Sequence, residues 1–178
     1  MKSLLPFVLL AGPALADCPA PPDHSRAIDT ALAELQDSAN EMEAREVNGQ
    51  LWELWLDAPD ERAQAMLDEG MARRESYDFL GSIDVLSRLV DYCPDYAEGY
   101  NQRAFSYFLA RDFESAVADL ERTIALNPDH IGALSGMALA LIELGRAAEA
   151  VPWLRRAVDL HPYLAERALL DSLPGEDI

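Results

Sequence analysis

Histidines, cysteines and clustered carboxylates are the residues of this 178-residue chain that could do chemistry, and their spacing argues against it. His24, His130 and His161 have no second metal ligand three or four positions away, so no helical metal site is predicted. The chain lacks a glycine-rich phosphate loop, a G-x-S-x-G nucleophile elbow and a CxxC motif. Acidic pairs such as Glu41 with Glu43 are expected where 32 residues are acidic. We therefore predict no catalytic residue, no metal, no cofactor and no enzymatic activity.

The charge of the chain restricts its partners. Its formal net charge is −18, with only 14 lysines and arginines. Because phosphate backbones bind cationic surfaces, this balance excludes nucleic acid as a partner. The acidic excess is concentrated toward the N-terminus, since residues 17–62 contain 12 acidic and 3 basic side chains. Such a surface indicates solubility, and attraction to a basic partner is the alternative.

The first sixteen residues have the pattern of a signal peptide. Lys2 precedes a short apolar run that ends in the Ala-x-Ala motif of Ala14 and Ala16. The run is too short to cross a bilayer, and Pro6 interrupts it. We expect cleavage after Ala16, export to the bacterial periplasm and no membrane insertion after cleavage.

Two cysteines, Cys18 and Cys93, follow the predicted cleavage site. An exported chain meets an oxidising compartment in which such a pair forms a disulfide. The bridge would tie the mature N-terminus to the middle of the chain. Two unpaired thiols are the alternative.

An internal repeat of 34 residues determines the expected fold. Prolines recur at this step at positions 94, 128 and 162, and other positions keep the same register. The residues in register are Leu86, Leu120 and Leu154; Ser82, Ala116 and Ala150; and Gly70, Ala104 and Ala138. Each copy contains two apolar stripes of helical spacing, which predict a helical hairpin. The recurring small residues predict close approach of the paired helices.

These residues resemble the tetratricopeptide-repeat family, whose pattern is W-x2-L-G-x2-Y, then A-x3-F, then P. The resemblance covers three units, residues 63–96, 97–130 and 131–164. It implies an all-α fold, a right-handed α-solenoid of stacked helix-turn-helix hairpins with N- and C-terminal capping helices.

The segments that flank the repeats carry weaker patterns. Residues 17–62 are predicted to form an acidic capping hairpin, possibly a degenerate repeat, with Trp52 and Trp55 packed against the helix that begins near Ala63. Residues 165–178 are predicted to form a C-terminal capping helix and a frayed tail.

In this family the first helix of each unit lines a concave groove. The residues predicted to face it are Leu67, Met71, Asn101, Gln102, Phe105, Phe108, Ser135, Leu139 and Ile142. The basic residues that some relatives use to grip a terminal carboxylate are missing. The resemblance implies a non-catalytic scaffold in the cell envelope that binds a segment of an unidentified protein. The alternative is a structural repeat protein whose groove is filled by its own chain or by a second copy in a homo-oligomer.

Overall fold

The computed structural model describes residues 18–173, and this part of the chain contains helices and no strands. The helices are α1 (Ser25–Gln36), α2 (Glu41–Trp55), α3 (Glu61–Glu75), α4 (Phe79–Tyr92), α5 (Ala97–Leu109), α6 (Phe113–Leu126), α7 (Ile131–Glu143), α8 (Ala147–Leu160) and a C-terminal 3₁₀ helix (Ala165–Asp171). The predicted signal peptide, its cleavage site and the tail from Pro174 to Ile178 lie outside the described residues.

Aspartates and an asparagine determine where several helices begin. Asn40 accepts the backbone N–H groups of Met42 and Glu43, and so caps α2. Asp60, Asp78 and Asp112 cap α3, α4 and α6 in the same way. Each cap satisfies a backbone donor that the first helical turn leaves free.

The turn inside each repeat unit requires a left-handed residue. Tyr77, Arg111 and Gly145, which are 34 residues apart, have φ angles of 63°, 64° and 74°. Only Gly145 lacks the Cβ that makes this conformation costly. The same backbone turn is therefore kept at all three positions although only one residue suits it.

Small residues allow the paired helices to approach. A Cβ on Gly70 would lie 2.6 Å from Leu86 Cγ, so α3 and α4 meet there without room for a side chain. Ser82 Oγ donates to Gly70 O over 2.7 Å, and is also 2.8 Å from Ser106 Oγ. Ala116 is likewise fully buried. These contacts give the recurring small residues their physical role.

The N-terminal hairpin of α1 and α2 packs against the far end of the repeats. Its buried face shares a core cluster with Ile131, Leu160 and Tyr163, and α1 lies against α8. Trp55 stacks on His130 with ring centroids 4.0 Å apart. The tryptophans thus meet α7 and its N-cap, whereas the sequence pattern had suggested the helix near Ala63. The hairpin crosses the repeats and does not simply extend their stack.

A disulfide joins Cys18 to Cys93, with Cα atoms 5.1 Å apart. It anchors the segment before α1 to the C-terminal end of α4. At the other end of this segment, His24 Nε2 is 2.7 Å from Asp57 Oδ2. The segment before α1 is therefore held at two points, to the repeats through Cys93 and to the linker after α2 through Asp57. No helix among residues 18–173 is both long and apolar enough to cross a membrane.

Candidate functional site

A cavity of about 230 Å³ lies between α5 and α7, and we call it the α5–α7 cavity. Its walls are mainly apolar. The residues that line it are Trp52, Asn101, Gln102, Ala104, Phe105, Phe108, Leu120, Gly132, Ser135, Gly136, Leu139 and Glu166. The cavity is smaller than the 300–1,000 Å³ of typical drug-sized sites, so it suits one side chain better than a cofactor.

Six of the residues predicted to face the groove come together in this cavity. They are Asn101, Gln102, Phe105, Phe108, Ser135 and Leu139. The repeat register places them on one side of the first helices of two neighbouring units. Phe105 is 49% exposed, although it is a large apolar side chain, so this wall is reachable from solvent. An accessible apolar wall of this kind is typical of a binding site.

The other three predicted groove residues do not line the cavity. Leu67 is fully buried in a cluster that also contains Leu86, Leu89 and Tyr96. Met71 packs against the same cluster. Ile142 packs against the core between α5 and α8. The structure therefore places these three predicted groove residues outside the α5–α7 cavity.

The sequence pattern also missed two walls of the cavity. Trp52 comes from the N-terminal hairpin and lies against Gly132, where an added Cβ would be 2.8 Å from its ring. Glu166 comes from the C-terminal 3₁₀ helix. Neither belongs to the first helix of a repeat unit, so the repeat register carries no signal for them. The hairpin thus fills part of the groove and the α5–α7 cavity remains beside it.

Next to the cavity residues Asn101 and Gln102 lies a buried polar cluster centred on Glu98. We call Glu98, Asn101, Gln102 and His130 the Glu98 cluster. Glu98 is 1% exposed, and its carboxylate accepts hydrogen bonds from three side chains. Asn101 Nδ2 donates to both carboxylate oxygens over 3.1 and 3.2 Å, and Gln102 Nε2 donates to Oε1. His130 Nε2 lies 2.7 Å from Oε2. A buried carboxylate requires such partners, because burial without them is costly.

The hydrogen bonds of His130 define its tautomer. This residue caps α7, and its Nδ1 accepts the backbone N–H of Ala133 over 3.2 Å. The ring proton therefore lies on Nε2, which donates it to Glu98. His130 is fully buried, whereas the sequence suggested only a loop residue. The stacked ring of Trp55 joins the N-terminal hairpin to this cluster.

Arg74 supplies a cation at the edge of the cavity. Its Nη1 donates to the backbone oxygen of Gln102 over 3.2 Å, and its guanidinium lies 4.6 Å from the centre of the Phe105 ring. Burial lowers the pKa of Arg74, and the negative charges of Glu98 and Glu75 partly offset that effect. The Arg74 cation therefore lies over one face of the Phe105 ring, in a cation–π contact.

One buried acceptor of the cavity has no partner. Gln102 is 5% exposed, and its amide nitrogen must face the Glu98 carboxylate, because the amide oxygen there would be repelled. Its Oε1 therefore points away from the carboxylate, and among the described residues it accepts no hydrogen bond. An unsatisfied buried acceptor is costly to the folded state.

A second cavity, of about 380 Å³, lies between the segment before α1 and the helix ends near Tyr96 and His130. Several carboxylates line it, and most are already engaged. Glu98 belongs to the cluster described above, and Asp57 pairs with His24. Asp129 is 2.8 Å from Arg156. This cavity therefore offers fewer free groups to a ligand than its acidic lining indicates.

No group of three or more histidine, cysteine, aspartate or glutamate side chains within residues 18–173 has the geometry to hold a metal ion. The hydroxyl that lines the cavity, Ser135 Oγ, donates to the backbone oxygen of Gly132 over 3.3 Å. Its arrangement is that of an apolar recess with a few polar contacts, which suits binding.

Comparison with known proteins agrees with this geometry. Residues 101–165 match the family model described as tetratricopeptide repeat. Residues 101–165 thus have the sequence pattern of tetratricopeptide repeats. A TPR repeat-containing protein of Rhizobium etli is 33% identical over 81 residues, which make up 46% of this chain and 40% of that protein. The chain therefore spans less than half the length of the curated relative that it matches.

Two solved structures of TPR domains show the same fold as this chain. The first TPR domain of Spaghetti, bound to an HSP90 peptide, superimposes with a TM-score of 0.61 at 24% identity and covers 62% of this chain and 89% of that one. The TPR2B domain of yeast Sti1, in its pHsp70 complex, gives a TM-score of 0.58 at 22% identity over 64% and 93% of the two chains. The predicted all-α repeat solenoid is confirmed.

Proposed function

We propose that this protein is a non-catalytic scaffold that binds a segment of another protein in the α5–α7 cavity. The observation that carries the proposal is the half-exposed side chain of Phe105 in the apolar wall of the cavity. A folded monomer seldom leaves an apolar recess of this kind accessible without a use for it. The peptide complexes of the Spaghetti and Sti1 domains support the same role, since the fold is shared.

The proposal includes a location for the protein. The proposed compartment is the bacterial periplasm, supported by the signal pattern of residues 1–16 and by the Cys18–Cys93 disulfide, because disulfides persist in oxidising compartments. N-terminal sequencing of the protein from the periplasmic fraction of its source is expected to start at Asp17. Recovery in the cytosolic fraction with an intact Met1 end would contradict export.

The binding proposal predicts that the variant Phe105→Ser/Leu139→Ser loses its partner. Both side chains line the cavity, and neither is fully buried, so the repeat fold is expected to persist. Affinity for a partner captured from envelope extract should fall at least about tenfold, as expected when aromatic and aliphatic anchors are truncated. Binding is measured by titration calorimetry with the captured partner, and folding by circular dichroism.

The matched control is Leu80→Ser/Leu109→Ser, which removes two exposed apolar side chains outside the cavity. It should bind as the unaltered protein does. Equal loss in both variants would place the interface elsewhere on the surface. If no partner is captured and light scattering shows a mass that rises with concentration, the groove serves self-assembly, the alternative reading, and the proposal fails.

A further inference from the structure

The N-terminal hairpin of α1 and α2 lies against the α7 side of the groove, where part of a bound segment would otherwise lie. We propose that this hairpin is a displaceable occupant of the groove, and that the Cys18–Cys93 disulfide is the latch that keeps it in place. Reduction of the bridge by a dithiol would release the hairpin and extend the site from the α5–α7 cavity along α7 to Ile131. The inference rests on the proposed function, because it states what regulates access to the same groove.

The hairpin covers the first turns of α7. The Trp52 ring lies so close to Gly132 that an added Cβ would be 2.8 Å from it. Trp55 stacks on His130, and its backbone oxygen accepts the hydroxyl of Tyr96 over 2.9 Å. The Trp52 contact also forms one wall of the α5–α7 cavity, so the covered part of α7 continues directly into the open part. A partner segment that lies along the whole of α7 must therefore displace the two tryptophans.

The hairpin can separate from the repeats as a unit, because it carries most of its own core. All but one of the buried residues in its apolar cluster belong to α1 and α2, and the exception is Ile131 of α7. Leu160 and Tyr163 pack against the cluster but are only partly buried. Although α2 and α3 are consecutive, they do not pack along one another. A unit with few buried apolar contacts to the rest of a fold opens at a lower free energy than the whole fold does.

The disulfide determines how far the hairpin can move. The linker of residues 56–60 attaches the hairpin to α3 in any state, and the Cys18–Cys93 bridge adds a second covalent attachment before α1. A hairpin held at both ends has little freedom to leave the groove, whereas one held at a single end can pivot about the linker. The contact of His24 with Asp57 also joins the two attachments, but a solvent-exposed pair of this kind contributes little.

The bridge is open to a dithiol. Cys18 is partly exposed and lines a surface recess of about 550 Å³, whereas Cys93 is 2% exposed. One thiolate of the dithiol attacks Cys18 Sγ and forms a mixed disulfide, and Cys93 leaves as a thiolate that takes up a proton. The second thiol of the dithiol then displaces Cys18, which is protonated in turn, and the reductant becomes a disulfide. Two electrons and two protons pass to the protein. In an oxidising compartment the bridge persists, so the closed state is the resting one.

The test compares the full chain in its oxidised form, after reduction with dithiothreitol, and as Cys18→Ala/Cys93→Ala. Hydrogen exchange read by mass spectrometry should accelerate in α1 and α2 by at least about tenfold more than in α5 and α6 when the bridge is absent. Nile red, a neutral apolar dye, should fluoresce more strongly with the reduced chain, because opening uncovers Ile131. The variant should give the same results with and without dithiothreitol.

The functional readout is the affinity of the partner captured for the proposed function, measured by titration calorimetry. It should rise at least about tenfold when the bridge is absent, since the partner no longer competes with a latched hairpin. Leu160→Ala loosens the hairpin from the α8 side and keeps the bridge, so it tests the competition even if the chain without the bridge does not stay folded. This variant should also raise the affinity. Met42→Ala, which removes an exposed side chain of α2, is the matched control and should change nothing.

An affinity that stays equal or falls in the reduced chain and in Leu160→Ala would overturn the inference. Unchanged exchange in the hairpin, once mass measurement shows both thiols free, would overturn it as well. If the affinity ignores the bridge but still falls in Phe105→Ser/Leu139→Ser, only the regulation fails. If no partner depends on Phe105 and Leu139, the proposed function fails, and exchange together with dye binding decides whether the bridge latches the hairpin.

Discussion

Replacement of Glu98 by alanine is expected to lower the free energy of unfolding by at least about 3 kcal/mol. The carboxylate is buried and accepts hydrogen bonds from Asn101, Gln102 and His130. Its loss therefore leaves three side-chain donors without their partner. His130 also caps α7 and stacks on Trp55, and loosening it should weaken the contact between the N-terminal hairpin and the repeats. Urea denaturation followed by circular dichroism measures the change.

The control for this prediction is Glu121→Ala, which removes an exposed glutamate from α6 and should change stability by less than about 0.5 kcal/mol. The double variant Glu98→Ala/His130→Ala tests the pairing itself. Each single variant leaves the other member of the pair buried without its hydrogen-bond partner. The double variant should therefore lower the free energy of unfolding by less than the sum of the two single variants. Strict additivity would show that the two side chains do not act as a pair.

Removal of the disulfide in Cys18→Ala/Cys93→Ala is expected to cost about 4 kcal/mol. The bridge spans 75 residues of sequence, and a long loop closed in the unfolded chain removes much of its conformational entropy. Since the bridge also anchors the segment that leads into α1, the N-terminal hairpin should exchange its amide hydrogens faster than α5 to α7 do. Denaturation and hydrogen exchange measure the two effects.

Reduction of the unaltered protein gives the matched control. A reducing agent should shift its denaturation midpoint close to that of the double alanine variant and should leave the variant unchanged. Intact-mass measurement should show the unaltered protein two hydrogens heavier after reduction. An unchanged midpoint together with two thiols that titrate before reduction would contradict the bridge.

Most of the fold could be predicted from the sequence, because each repeat unit is specified locally. Prolines 34 residues apart, small residues at Gly70, Ala104 and Ala138, and apolar stripes of helical spacing determine where hairpins form and how closely they pack. Hairpins that contact only their neighbours stack in sequence order, so a local pattern is enough to determine a solenoid.

The candidate site could be predicted only in part. The repeat register placed Gln102, Phe105 and Leu139 on a common face, and the structure brings them together. The same register placed Leu67 on this face, but that residue is fully buried in a cluster with Leu86 and Leu89. A periodic pattern identifies the side of a helix, but the depth of a residue depends on what else lies over that side.

The sequence by itself therefore determined the helical hairpins, their order, and the surface from which a cavity would be formed. The tertiary structure alone decided that the N-terminal hairpin crosses to α8, that Trp52 and Glu166 close the cavity, and that Glu98 and His130 meet next to it. The reason is that these contacts join residues far apart in sequence. Which residues meet depends on how the repeats curve as they stack, and on the requirement that buried polar atoms form hydrogen bonds. No local periodicity encodes them.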